Sequence, residues 1–399
     1  MADLWIEVDL DAVIHNYHEI LAKLSPECQL MAVVKADAYG LGAVEVAKSL
    51  EAEGCRAFAV TTIAEALILR REGLQGRILV LGPSSKEDWG QAIAQGVELT
   101  VSQLEWIPLL EETAVQNGCE AFIHLKLETG MGRTGFTGDQ LTAVAEALQQ
   151  SAHLSIVGAY THFARGAQRD QAYTRSQYEK FQSYVGQLEE MGLSIPLKHV
   201  CNSAAFLDYP EYHLNMVRVG TLLGGHFPAP AFAGTLNLKD PWTAKAKIVH
   251  LQKAAQGTYV GYQSIYKCKR DTSLAVVPVG YADGFGLEPK LVPQGLADLA
   301  KIFIKNTAAL LGLHLGREKI LLRGQTVSTA GKIGMQLTVL DTGRLPVELG
   351  EEVVIPLRRT LANPRIPRIY KKNGKIYRKR VIEEGFLSIN EESISLSDV

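Results

Sequence analysis

The sequence has no apolar run near the roughly 20 residues that a membrane span needs. Its start, MADLWIEVDLDAVIHNY, has no basic region followed by an apolar core. The expected location is the cytoplasm. Cysteine is sparse: Cys28, Cys55, Cys119, Cys201 and Cys268 are five, an odd number, scattered without CxxC spacing. That argues against a disulfide framework and against a zinc site, so reduced and mostly buried thiols are expected, with no metal. Charge of one sign is also missing, since 41 Lys and Arg face 43 Asp and Glu for a formal net charge of -2. A balanced surface has no general attraction for nucleic acid or acidic membranes, which leaves small neutral or zwitterionic ligands open. No GxGxxG phosphate loop follows the first strand, as a doubly wound nucleotide-binding sheet would want.

What is present is organised around Leu30 to Gly42, LMAVVKADAYGLG. An apolar run ends in Lys35, and small residues and glycines turn the chain just beyond. This reads as a buried parallel strand delivering one amine to its carboxyl end, the end at which α/β folds place chemistry. Alone it fits a solvent-facing lysine; with suitable partners it fits a Schiff-base lysine.

The segments MAVVK, AFAVTT, ILVLG, VELTV, AFIHLKL, SIVGAYTHF, KHVCNS and MVRVGTLL, starting at Met31, Ala57, Ile78, Val97, Ala121, Ser155, Lys198 and Met216, read as strands. Amphipathic stretches such as Ala43 to Glu53, Ile63 to Glu72, Gln140 to Ser151 and Gln171 to Met191 alternate with them. Eight strand-helix units with short loops indicate a TIM (β/α)8 barrel. From about Thr235 the pattern changes to short alternating segments and turns, indicating an antiparallel β domain, with Asn373-Gly374 as a hairpin turn. The basic run Lys371 to Arg380 is read as a solvated hairpin rather than an RNA site. The expected division is residues 1–10 as an N-terminal strand packing on the C-terminal domain, 11–234 as the barrel, and 235–399 as the β-rich domain. A segment at about 287–315 stands out as an insertion that suits a helix by its apolar spacing, and a strand by its alternation around Ile302.

The unusual polar residues fall at the expected carboxyl ends of barrel strands: Lys35, Arg133 in ETGMGRTG, His162 in AYTHFA, Asn202 and Ser203, and Arg218 and Gly220 in VRVG. Each alone has an ordinary structural explanation. Together they suit an anionic cofactor bearing an aldehyde: small residues and donors at Ser203, Gly220 and Thr221 suit a phosphate, and arginines suit a carboxylate, a phenolic oxygen or a ring nitrogen.

At these residues the chain resembles the alanine racemases of the pyridoxal-phosphate, barrel-plus-β-domain type. The likeness runs from WIEVDLDAVIHNY through AVVKADAYGLG, HLKLETGMGRTG, YTHFA, CNSAA and VRVG to VGYQSIY, GYADGF, GKIGMQLTVLD and PRIPRIY. It implies pyridoxal 5'-phosphate as cofactor, with Lys35 forming the internal aldimine and acting as base on the D face, and Tyr262 acting on the L face from the partner subunit of a homodimer. It further implies a relay from Tyr262 through His162 to Arg218, which faces the pyridine nitrogen. Tyr39, Ser203, Gly220 and Thr221 would hold the phosphate. Arg133 would contact the phenolic oxygen and the substrate carboxylate, and Met335 would add a backbone contact. Tyr281 would stand at the entrance, and Lys126 would match a lysine that is carbamylated in some relatives and positions the arginine. The implied activity interconverts L- and D-alanine for peptidoglycan.

Three departures bear on the substrate. Gly334, Met335 and Gln336 stand where the family usually has Cys-Met-Asp, Pro364 stands where it has a phosphate-reaching tyrosine, and Gly286 to Lys319 is long. They keep open a racemase for serine or a larger or basic amino acid. A non-catalytic cofactor-binding protein is the further alternative, and the retained Lys35 and Tyr262 weigh against it.

Overall fold

The computed structural model describes residues 3–287, 296–310 and 318–381. They fall into two compact units, one of Asp9–Pro241 and one that joins Met1–Val8 to Trp242–Val399.

The chain opens with strand β1, Leu4–Asp9, which belongs almost wholly to the second unit. Asp9 then caps the helix Leu10–Leu21, its carboxylate accepting from the amides of Asp11 and Ala12. In the first unit, β2 (Gln29–Val33), β3 (Ala57–Val60), β4 (Arg77–Val80), β5 (Glu98–Val101), β6 (Ala121–Lys126), β7 (Leu154–Tyr160), β8 (Leu197–His199) and β9 (Met216–Val219) form one parallel sheet. Its order is β8-β7-β6-β5-β4-β3-β2-β9. The gap between β8 and β9 is bridged by amide bonds from Asn215 to the Lys198 carbonyl at 3.3 Å and from Arg218 to the Cys201 carbonyl at 3.0 Å. The result is a nearly closed eight-stranded TIM barrel, as the strand-helix rhythm indicated.

Every residue of β3, β5 and β9 is buried, which is why these segments read as apolar runs rather than alternating ones. Met31, Val33, Ala57, Ala59, Leu79 and Met216 pack as one cluster within this sheet. Helix Ile63–Arg71 starts with a capping box between Thr62 and Glu65, and Gln171–Glu190 is the longest helix among the described residues.

The second unit holds a ten-stranded sheet. Its order is His250–Ala254, Thr272–Val277, Thr338–Gly343, Gln325–Thr329, Lys319–Leu322, Glu352–Ile355, Trp242–Lys247, β1, Arg368–Lys372 and Lys375–Arg380. Residues Leu4 to Val8 pair antiparallel with Trp242 to Ala246. Of the segment at 287–315, Leu296–Leu310 forms a helix, while 288–295 and 311–315 lie outside the described residues.

Candidate active site

The strand that carries the organising lysine ends at Val33, and the chain then does something unusual. Ala36, Asp37, Ala38 and Tyr39 have φ of 50°, 56°, 52° and 57°, a single turn of left-handed helix. Left-handed backbone costs an L-residue roughly 1–2 kcal/mol, so this turn is held by its surroundings. Glu65 accepts the Ala36 amide at 2.6 Å, and Asp37 accepts the Ala43 amide at 2.9 Å. Gly40 and Gly42, with φ of 92° and 102°, let the chain leave it. Lys35 and Tyr39, at the two ends of the turn, both line a cavity of about 340 Å³ at the carboxyl ends of the barrel strands.

Arg133 reaches the same cavity from the loop after β6. Glu128 gathers that loop by accepting the amides of Gly130 at 2.5 Å and Arg133 at 3.2 Å. Lys126, at the end of β6, is 3% exposed and its amine has no hydrogen-bond partner among the described residues. His162 follows β7, and its Nε2 stands 3.5 Å from the Asn202 amide nitrogen. Asn202 caps the short helix Ser203–Asp208, and the Ser203 hydroxyl accepts the Gly220 amide at 3.2 Å. Arg218, on β9, is buried; it donates from Nη1 to His199 Nδ1 and the His199 carbonyl, and from Nη2 to the carbonyls of Thr161 and Val200.

So many cations in one pocket shift one another. Burial, then Arg133, push the Lys35 amine below its ordinary value, with Glu65 opposing and Arg218 reinforcing. Burial and the charges of Arg218 and Arg133 hold Lys126 far lower still. His162 is kept neutral by burial and by Arg218, Lys126, Arg133 and Lys35. Burial pushes the Tyr39 phenol up to about 12, so it is a hydrogen-bond donor rather than an anion. The site thus combines an amine that gives up its proton more readily than an ordinary lysine with fixed positive charge.

The residues present fit pyridoxal 5'-phosphate. A Cβ on Gly220 would stand 2.4 Å from the Tyr39 hydroxyl, so the absence of a side chain there brings backbone and phenol together. Thr221, next in the chain, has a buried hydroxyl oxygen with no hydrogen-bond partner among the described residues. With Ser203 these make a cluster of N-H and O-H donors suited to a phosphate.

Sequence reasoning missed three buried residues beneath the site, Glu98, His124 and His199. Their signal was present: each is ionisable and falls within a segment read as a strand, and His124 lies two positions before Lys126, hence on the same strand face. The expected relay also differs in detail. Among the described residues no hydrogen bond joins His162 to Arg218, because Arg218 spends its Nη groups on His199 and on wall carbonyls.

Tyr262, Tyr281 and Met335 belong to the second unit, where they share one loop cluster. The Tyr281 amide donates to the Gly334 carbonyl and the Ala282 amide to the Met335 carbonyl, each at 3.0 Å. Gly280 permits this approach, since a Cβ there would lie 2.3 Å from both carbonyls. A Cβ on Gly331 would stand 2.9 Å from the Val260 carbonyl, which brings the turn bearing Tyr262 to the same cluster. Tyr262 is 76% exposed, Met335 58% and Tyr281 45%. Pro364 is beside them: Asn363 bonds to the carbonyls of Asp283 and Ala282, and the Pro364 carbonyl is held by Arg368 at 2.9 Å.

Residues 8–228 match the family model described as alanine racemase, N-terminal domain, and residues 242–378 match alanine racemase, C-terminal domain. An alanine racemase of Desulforamulus reducens is 36% identical over 359 residues, covering 88% of this chain and 89% of that protein. The solved alanine racemase of Clostridium difficile 630 superposes with a TM-score of 0.85 at 29% identity, over 96% of this chain and 99% of that one. That of Bacillus anthracis, solved with bound L-Ala-P, gives 0.82 at 28% identity, over 95% and 97%.

Proposed function

The chain belongs to the alanine racemase family, and on that premise we propose that it interconverts L- and D-alanine with pyridoxal 5'-phosphate bound at the barrel mouth. The observation that carries this reading is the meeting, in one cavity, of a depressed lysine amine, a phosphate-suited donor cluster and an arginine able to take a carboxylate. When bound, the cofactor supplies an electron sink that acidifies the α-hydrogen of an amino acid. Lys35 would hold it covalently and, when released from that bond by the substrate amine, would accept and return the α-proton on one face of the substrate. Tyr262 serves the opposite face, contributed by the partner subunit of a homodimer. Two bases on opposite faces are what inversion requires, because a proton removed from one side must be returned from the other.

The remaining residues orient and tune. Tyr39, Ser203, Gly220 and Thr221 hold the phosphate. Arg133 binds the substrate carboxylate and the phenolic oxygen, with the backbone of Met335 beside it, and Tyr281 narrows the entrance. Arg218, a donor without lone pairs, would hold the cofactor's ring nitrogen without protonating it, which would limit side reactions. His162 stands between Tyr262 and this arginine as a neutral ring. D-alanine for peptidoglycan, made in the cytoplasm, is the proposed role; the five free cysteines suit a reducing compartment.

The test is deuterium exchange at Cα in D2O with single-enantiomer amino acids, comparing the holoenzyme with Tyr262→Phe. Alanine is expected to exchange and racemise fastest, and the variant to lose the reaction that starts from L-alanine. Inert alanine beside rapid turnover of another amino acid would transfer the assignment to that substrate, in line with Pro364 and Gln336. No exchange with any amino acid would overturn it.

A further inference from the structure

The interior of a TIM barrel is ordinarily filled by branched apolar side chains. Here a line of ionisable groups from four strands crosses it. Glu98 on β5, His124 on β6, His199 on β8 and Arg218 on β9 are each 5% exposed or less. Arg218 Nη1 lies 2.9 Å from His199 Nδ1, His199 Nε2 lies 3.0 Å from His124 Nδ1, and His124 Nε2 lies 2.8 Å from Glu98 Oε2. Arg77 closes the far end, donating to the two Glu98 oxygens at 2.6 Å and 3.3 Å. Glu98, His124 and His199 do not line the cavity; Arg218 does.

The chemistry of the first atom fixes every proton along this line. A guanidinium has no acceptor, so His199 Nδ1 must be bare. The neutral ring therefore carries its proton on Nε2 and donates to His124 Nδ1. That nitrogen is bare in turn, so His124 carries its proton on Nε2 and donates to Glu98. The line ends on a carboxylate anion, which accepts from both His124 and Arg77. Reversing any link, or protonating either ring, sets two N-H groups face to face.

The surroundings agree. Burial and Arg218 push His199 well down, with His124, Lys126 and Arg77 adding to this. Burial likewise lowers His124, against the pull of Glu98. Glu98 is drawn down to about 2, its hydrogen bonds from His124 and Arg77 outweighing its burial. The Tyr160 ring stacks on His199 with centroids 5.0 Å apart and planes 12° apart, and the Arg218 guanidinium carbon lies 5.1 Å from the centre of that ring. All four side chains of the line are buried.

A line of donors pointing one way is not a proton wire, because its first member would have to give up a proton that a guanidinium keeps. It is a fixed string of dipoles between a buried cation and a buried anion. Burial works against the Arg218 charge and lowers it to about 10. A carboxylate reached through two polarised rings opposes that loss, and the same bonds hold the plane of the guanidinium.

We propose that Glu98 is a positioning residue: as the acceptor at the end of a line whose proton order Arg218 sets, it anchors His124 and His199 and through them the charge and plane of Arg218 at the barrel mouth. The catalytic consequence rests on the reading above, in which Arg218 faces the ring nitrogen of the cofactor; the tautomers do not.

The experiment is nitrogen NMR of the full-length holoenzyme labelled with ¹⁵N-histidine, from pH 6 to 9, together with steady-state kinetics, for wild type, Glu98→Gln and Glu98→Asp. In the wild type both rings are expected to show a bare Nδ1 and a protonated Nε2 that do not titrate. A ring that titrates in this range, or carries its proton on Nδ1, overturns the proposal from the wild type alone, even if neither variant folds. In Glu98→Gln one amide oxygen must serve both Arg77 and His124, so the His124 and His199 signals are expected to move. The pH dependence of the bound cofactor's absorbance should shift with them. There kcat should fall about 10- to 100-fold with KM changed less, and Glu98→Asp, which restores the charge, should recover part of it. Unchanged histidine signals in Glu98→Gln, or moved signals with unchanged kcat and absorbance, overturn the proposal. Moved signals and absorbance in a protein that racemises no amino acid support it and overturn the racemase reading instead.

Discussion

The Lys126 amine lies 4.6 Å from the centre of the Tyr160 ring, and no group among the described residues hydrogen-bonds to it. Burial and the charges of Arg218 and Arg133 push it well below the ordinary lysine value. A buried amine among cations that sheds its proton more readily than usual is a nucleophile suited to an anion-forming partner. Carbon dioxide is such a partner: the nitrogen lone pair bonds to carbon, a proton leaves, and the resulting carbamate is an acceptor where the pocket has surplus positive charge.

Lys126 is therefore expected to be carbamylated and to position Arg133. With ¹³C-bicarbonate the wild type should show one carbamate carbon signal that Lys126→Ala lacks. Losing this charge-assisted contact should lower kcat/KM by about 10- to 100-fold. Full activity in Lys126→Ala would refute the positioning role.

Gly220 makes a different demand. Its Cβ would stand 2.4 Å from the Tyr39 hydroxyl and 2.7 Å from Tyr39 Cε2. The far end of a tyrosine can yield, so Gly220→Ala should fold with little change in Tm. Yet the displaced phenol leaves the phosphate cluster. The expected result is cofactor affinity weaker by about 10-fold or more, from one lost hydrogen bond, read by titrating the apoprotein with pyridoxal 5'-phosphate. Unchanged affinity would place Tyr39 outside the cofactor site.

The barrel was legible because its strands are buried on both faces and its helices alternate with them, so period and order both survive in the sequence. The lysine was legible as a charge ending an apolar run. What the sequence could not convey is sense of turn: nothing in Ala36, Asp37, Ala38 and Tyr39 announces four left-handed residues, since Glu65, 29 positions from Ala36, is what pins them. Glu98, His124 and His199 were hidden for a related reason. Nothing in the sequence links the three to one another, and only the nearly closed sheet brings side chains of β5, β6 and β8 together.

Tyr262 is 76% exposed within its own chain. If it completes the Lys35 site of a second copy, two inactive variants should rescue each other. Equal mixing of Lys35→Ala and Tyr262→Phe with free re-pairing makes half the dimers mixed, each with one intact site of two. About a quarter of wild-type activity should return. No recovery, with exchange of subunits verified by mass, would mean that each chain supplies its own tyrosine.

Glu98 gives the protein an acid sensitivity whose sign is fixed. Its carboxyl is drawn from an ordinary 4.5 to about 2 in the folded chain by His124 and Arg77, against the opposing effect of burial. Its stabilisation is therefore complete above the unfolded value and is lost as pH falls toward the folded one. Glu98→Gln has no such dependence from this position. At pH 7 the variant should unfold at lower urea than the wild type, and the difference should shrink below about pH 4.5. By pH 3 it should have narrowed by about 2 kcal/mol, measured as the difference between the two urea midpoints multiplied by their common slope. A gap that stays constant from pH 7 to 3 would mean that the carboxyl is not held as an anion by the two donors that flank it.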